Sequence, residues 1–154
     1  MSEQNAAHAR RWFEEVWNQG REQTIDEMLT AEGVGHGLGD TDRDTRGPAE
    51  FKVFWRNLRG ALPDVHIRVD DLISQGDRVV TRITLTGTHS GEGLGVPPSG
   101  AKVHVQGIVI MRFHNGKAVE AWNSYDQLGL LRQIGALPGT ANRERDTFLS
   151  ASHG

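Results

Sequence analysis

The hydrophobic period of this 154-residue chain changes at Pro63, and that change restricts the fold more than any other feature. Before Pro63, apolar residues recur at helical spacing. Ala9, Trp12, Phe13, Val16 and Trp17 make one stripe, with Gly20 placed as a left-handed cap. Thr24-Ile25-Asp26-Glu27 reads as a capping box opening a second helix, with Ile25, Met28 and Leu29 as its apolar face. Gly47-Pro48 opens a third, whose buried face is Phe51, Phe54, Trp55, Leu58 and Leu62. Between the second and third, Gly33, Gly35, Gly37 and Gly39 surround His36 in what reads as an irregular, permissive loop.

After Pro63 the period becomes two. Val65, Ile67 and Val69 alternate with His66 and Arg68, and Asp70-Asp71 breaks the pattern as a bulge would before Leu72-Ile73. Gln75-Gly76-Asp77 turns the chain into a strand that carries Val79, Thr81, Ile83 and Leu85 and reaches His89. A Gly/Pro loop follows over 90–100, read as mobile; Ala101–Phe113 and Lys117–Tyr125 are the next strands. Helices first, then an antiparallel meander, then a short helix predicts an α+β fold with helices against one face of a curved sheet. One domain over 1–138 accounts for the core, and 139–154 reads as a polar tail.

Charge and composition narrow the function classes. A net charge of -3 with scattered Lys and Arg argues against nucleic acid or an anionic membrane as partner. No apolar run reaches the roughly 18 residues of a membrane helix, and no basic-then-apolar leader is evident, so the expectation is a cytoplasmic protein. With no cysteine, disulfides, thiolate nucleophiles and cysteine-based metal sites are absent. His8, His36, His66, His89, His104, His114 and His153 form no helical pair at i, i+4 and sit by no carboxylate cluster, which points away from a metal site.

Asp126 stands where the last strand becomes the last helix. Two jobs suit it. It precedes the apolar face Leu128, Leu131 and Ile134, the position of a helix N-cap. It also suits a general base, provided it lies against an apolar wall that desolvates it. Its neighbours depend on the turn at Asn115-Gly116. A two-residue turn pairs Phe113 with Ala118 and sets Val105 opposite Asp126. A three-residue loop pairs Phe113 with Lys117, setting His104 opposite Asp126, Gln106 opposite Ser124 and Ile108 opposite Trp122. The second is favoured, because it gathers His104 and Gln106 beside the carboxylate and leaves Val105, Val109 and Met111 on the other packed face. Arg112 and Glu120 read as an ion pair across the hairpin.

Several short pieces, in order, resemble the SnoaL-like polyketide cyclases of the nuclear-transport-factor-two-like superfamily. They are Trp12-Phe13-Glu14-Glu15-Val16-Trp17-Asn18, His36, Arg46-Gly47, Leu62-Pro63-Asp64 and Gly87-Thr88-His89-Ser90-Gly91. They continue with Gly95-Val96-Pro97-Pro98-Ser99-Gly100, Gly107-Ile108, Arg112-Phe113, Gly116-Lys117, Glu120-Ala121-Trp122, Asp126 and Gly129 to Gly135. The resemblance spans roughly residues 8–137. It implies a cone-shaped antiparallel sheet wrapped on the N-terminal helices around an apolar pocket, a homodimer formed through the outer sheet, and no metal or organic cofactor. It also implies Asp126 as the base of an intramolecular aldol ring closure; His104 and Gln106, set beside it by the favoured register, are the donors suited to stabilise the enolate. A small apolar or polycyclic carbonyl ligand would lie against Trp12, Trp17, Phe51, Trp55 and Trp122, with His36 and His89 at the pocket edge. Isomerases, hydratases, hydrolases and non-catalytic ligand-binding modules share the same cone, and all stay open on the sequence.

Overall fold

The computed structural model describes residues 2–39 and 43–136; the expected tail over 139–154 lies outside them. Helix α1 (Ser2–Arg11) runs on into a π-helical segment (Trp12–Asn18). Its widened turn still buries Trp12, Phe13, Val16 and Trp17. The segment is tied to the sheet by Asn18, whose Oδ1 accepts from the Ile67 N–H at 2.7 Å and whose Nδ2 donates to the Ile67 carbonyl at 3.0 Å. Helix α2 is Glu22–Met28, so it begins two residues before the expected capping box. Thr24 is inside it, fully buried, with its hydroxyl donating to Glu15 rather than capping. Helix α3 (Gly47–Ala61) has Pro48 in its first turn and buries Phe51, Trp55 and Leu58. Each such side chain contributes about 1.5–3 kcal/mol of transfer free energy.

Strands β1 (Leu29–His36), β2 (Thr45–Arg46), β3 (His66–Gln75), β4 (Arg78–Thr88), β5 (Lys102–His114) and β6 (Lys117–Tyr125) form one curved, unclosed sheet in the order β2-β1-β6-β5-β4-β3. The meander β3–β6 is the expected one, and its bulge falls between Val69 and Asp71 as the broken alternation indicated. Strand β1 was not expected: the glycine-rich segment around His36 pairs parallel to β6, with Gly35 beside Ala121 and His36 beside Trp122. The sheet is therefore mixed at that edge. Helix α4 (Gln127–Gln133) closes the described chain, and Gln133 clamps it to β5 by accepting from the His104 N–H and donating to the His104 carbonyl.

The hairpin between β5 and β6 corrects both expected registers. Asn115 and Gly116 both have positive φ, 51° and 78°, as a two-residue type I′ turn demands, and Phe113 pairs with Ala118. Val119 then bulges, so that Arg112 pairs with Glu120, Ile110 with Trp122 and Ile108 with Ser124. The favoured pairing of Ile108 with Trp122 is thereby overturned, and so is that of His104 with Asp126. The Asp126 N–H donates instead to the Gln106 carbonyl at 3.0 Å.

Candidate functional site: an apolar cavity between helices and sheet

Alternation along β5 and β6 assigns the faces. Val105, Val109 and Met111 are buried and pack toward the helices, and Ala121, Asn123 and Tyr125 share that side. His104, Gln106, Ile108, Arg112, Trp122 and Ser124 belong to the outer face, where His104, Gln106 and Ser124 are exposed. The concave side encloses a cavity of about 880 Å³, its open mouth included.

One wall is aromatic and comes from the helices: Trp12, Trp17, Phe51 and Phe54. Their rings interlock with centroid separations of 5.2 Å for Trp12–Phe51, 6.2 Å for Trp17–Phe51 and 6.0 Å for Trp17–Phe54. The spacing of edge and tilted contacts is that of favourable aromatic packing. The facing wall is β-branched and aliphatic, with Ile67, Ile83, Leu85, Val105, Val109 and Met111. Polar groups gather along one edge, at Thr45, Gln106, Glu120, Asn123 and Tyr125.

That edge is strapped to the end of β1 and the residues that follow it. Asn123 Nδ2 donates to the His36 carbonyl at 2.9 Å, Tyr125 Oη to the Leu38 carbonyl at 2.7 Å, and Gln127 Nε2 to the Gly37 carbonyl at 3.0 Å. Outside it lies a charged network. His36 Nε2 meets Glu120 Oε2 at 2.7 Å and His36 Nδ1 meets Asp44 Oδ2 at 2.9 Å, while Arg112 donates to Glu120 Oε1 at 3.2 Å. Both ring nitrogens can donate to a carboxylate only when both carry hydrogen, so this arrangement favours the cationic form of the histidine. Its pKa is accordingly raised, first by the hydrogen bond to Glu120, and that of Glu120 is lowered, first by His36. The imidazole stacks on Trp122 at 5.6 Å, and Arg78 stands over the same indole. The ion pair expected between Arg112 and Glu120 is part of this network.

The residues singled out from sequence are thus distributed over several places. Trp12, Trp17 and Phe51 meet in the cavity wall. Trp55 is buried beside them, its Nε1 donating to the Val16 carbonyl at 2.8 Å, and holds helix to helix. His36 and Trp122 pair outside the polar edge. His89 is fully buried beneath the 90–100 loop, where its Nδ1 bonds Ser99 Oγ at 2.8 Å and accepts from the Ser99 N–H. Asp126 is exposed, and its Oδ1 accepts from the Gly129 N–H at 2.8 Å, capping α4. Gln106 adjoins it through the backbone and His104 does not. Missed from sequence were Thr45, Phe54, Asn123 and Tyr125. The signal for Phe54 was its place on the apolar face of α3; the signal for Asn123 and Tyr125 was that they share the side of Val105 and Val109.

The structure is thus an α+β domain whose curved, open sheet packs over the helices around an aromatic-walled cavity. The sequence matches the model of the SnoaL-like polyketide cyclases over residues 7–134, and the chain belongs to that family. It is similar to the aklanonic acid methyl ester cyclase DnrD of Streptomyces peucetius, at 26% identity over 79% of this chain and 84% of the relative. Among solved structures it is similar to IdmH of Streptomyces antibioticus, at 29% identity and a TM-score of 0.74, covering 86% of this chain and 99% of the other. AclR of Streptomyces galilaeus, a candidate hydroxylase, is similar at 28% identity and a TM-score of 0.78, over 90% of this chain and 100% of its own.

Proposed function

We propose that this chain encloses a flat, largely apolar carbonyl compound of polyketide type and promotes its intramolecular aldol ring closure. The observation that carries the reading is the cavity itself, with interlocked aromatic rings on one side and polar side chains along one edge. Folding a polycarbonyl chain between two such walls brings its reacting carbons together, and well-oriented intramolecular reactions gain up to roughly 7–11 kcal/mol from proximity. Asp126 is the proposed base. It directly follows Tyr125 of the cavity edge, and its backbone is tied to Gln106. The name of the relative DnrD supplies a probe, aklanonic acid methyl ester.

One observation favours a second reading, binding without turnover. Asp126 is exposed and engaged in capping, and Glu120, the carboxylate along the cavity edge, is ion-paired to His36 and Arg112. The two readings separate on one experiment: chromatography of aklanonic acid methyl ester incubated with the wild-type protein and with Asp126→Asn. Ring closure by the wild type and a loss of at least roughly a hundredfold in the variant support a base at Asp126. Saturable binding with no ring-closed product supports the binding module. A homodimer through the outer sheet belongs to the same proposal, supported by the exposed Ile73 and Ile108 on that face.

A further inference from the structure

The polar edge of the cavity has a hydrogen-bonding sense. Tyr125 spends its hydroxyl hydrogen on the Leu38 carbonyl. Glu120 accepts from Arg112 and His36 and has no hydrogen to offer. Asn123 is fixed by its donation to the His36 carbonyl, which removes the usual freedom of an amide to turn over. An amide group is planar, so with Nδ2 directed at β1, Oδ1 stands on the side away from β1. No described residue donates to that oxygen. Asn123 pairs with Val109 across the sheet, and both line the cavity. Gln106 contributes at the rim from a strand position on the outer face.

We infer that Asn123 is a specificity-determining residue that selects ligands carrying a hydroxyl donor, phenolic or enolic, on the edge that meets β6, and accepts that hydrogen at Oδ1. This rests on the reading of the cavity as the site for a flat carbonyl compound and adds the polarity of the ligand's edge. A ligand presenting only carbonyl or ether oxygens there would set acceptor against acceptor and leave both desolvated without a partner. A ligand presenting O–H completes the amide. Enolised β-dicarbonyls and phenols are therefore favoured over their methyl ethers. The strap through His36 holds the amide in the orientation that makes the distinction.

The test is equilibrium binding of a monohydroxyanthraquinone, its methyl ether and unsubstituted anthraquinone to the wild-type protein and to Asn123→Leu. The expected result is a preference of roughly tenfold for the hydroxylated probe over both others in the wild type, the size of one well-made hydrogen bond. That preference should disappear in Asn123→Leu, whose side chain offers no acceptor. Equal binding of all three probes by the wild type overturns the inference and leaves the cavity reading standing. So does a hydroxyl preference that survives in Asn123→Leu, and the wild-type series decides the matter even if the variant fails to fold. Failure of every probe to bind overturns the cavity reading and the inference with it.

Discussion

Gly37 is the point at which the strap along the cavity edge can be tested by one atom. Its φ is +76°, and a Cβ built there overlaps the Asn123 carbonyl oxygen. Gly76, in the turn between β3 and β4, has φ +59° and nothing within 4 Å of an added Cβ. Alanine at either position meets the left-handed backbone cost, about 1 kcal/mol. Only at Gly37 must the backbone also move away from β6. That movement strains or breaks the hydrogen bonds from Asn123, Tyr125 and Gln127 to the carbonyls of residues 36–38. At about 1 kcal/mol each, losing two of the three raises the total to about 3 kcal/mol. Urea denaturation of Gly37→Ala and Gly76→Ala should therefore give losses of about 3 and about 1 kcal/mol, with Tm shifts of roughly 6–12 °C and 2–4 °C for a chain of this size. Ligand affinity should fall in Gly37→Ala and not in Gly76→Ala. Equal stability losses would refute the close approach, and with it the idea that this strap shapes the cavity edge.

Removing the Asp126 cap by Asp126→Ala should cost about 1 kcal/mol in thermal or urea unfolding, and Asp126→Asn only a few tenths, because asparagine caps nearly as well. Asn18→Ala deletes both bonds to Ile67 and should cost about 2 kcal/mol by the same measurement. The pairing of His36 with Glu120 makes stability depend on pH from both sides. His36 has a raised pKa in the folded chain, so its contribution is full below its ordinary value of 6.5 and is lost as pH rises through the raised value. Glu120 has a lowered pKa, so its contribution is full above its ordinary value of 4.5 and is lost as pH falls through the lowered value. Unfolding curves across this range should show the alkaline decline flattened in His36→Gln and both declines weakened in Glu120→Gln.

The aromatic wall was legible in the sequence because helical periodicity assigns a face without knowledge of any partner: Trp12, Trp17 and Phe51 follow from spacing. The meander was legible for the same reason, including its bulge at Asp70. Strand β1 was not, since four glycines around His36 carry no alternation, and the segment becomes a strand only by lying against β6. The polar edge was hidden by the choice of sheet face. Val119 sits in a stretch, Ala118-Val119-Glu120-Ala121, with no alternation to betray a bulge, and that bulge fixes which residues of β5 each residue of β6 pairs with. The favoured three-residue loop puts Asn123 and Tyr125 on the Val105 and Val109 side, as observed, but the site was sought on the opposite face, with Gln106 and Trp122. Asp126 shows the converse limit: its capping bond was predictable from local sequence, whereas its exposure depended on how α4 packs.

The claim on which the rest depends is that the cavity between helices and sheet is where this protein holds its ligand. Trp12 and Trp17 lie in its wall, so titration with anthraquinone followed by tryptophan fluorescence reads occupancy directly. The wild type should show saturable one-to-one quenching. Ala121→Phe, which places a ring in the cavity opposite Gly35, should abolish it while keeping the wild-type circular dichroism. Unchanged quenching in a folded Ala121→Phe protein would contradict the account, because the ligand would then be bound elsewhere.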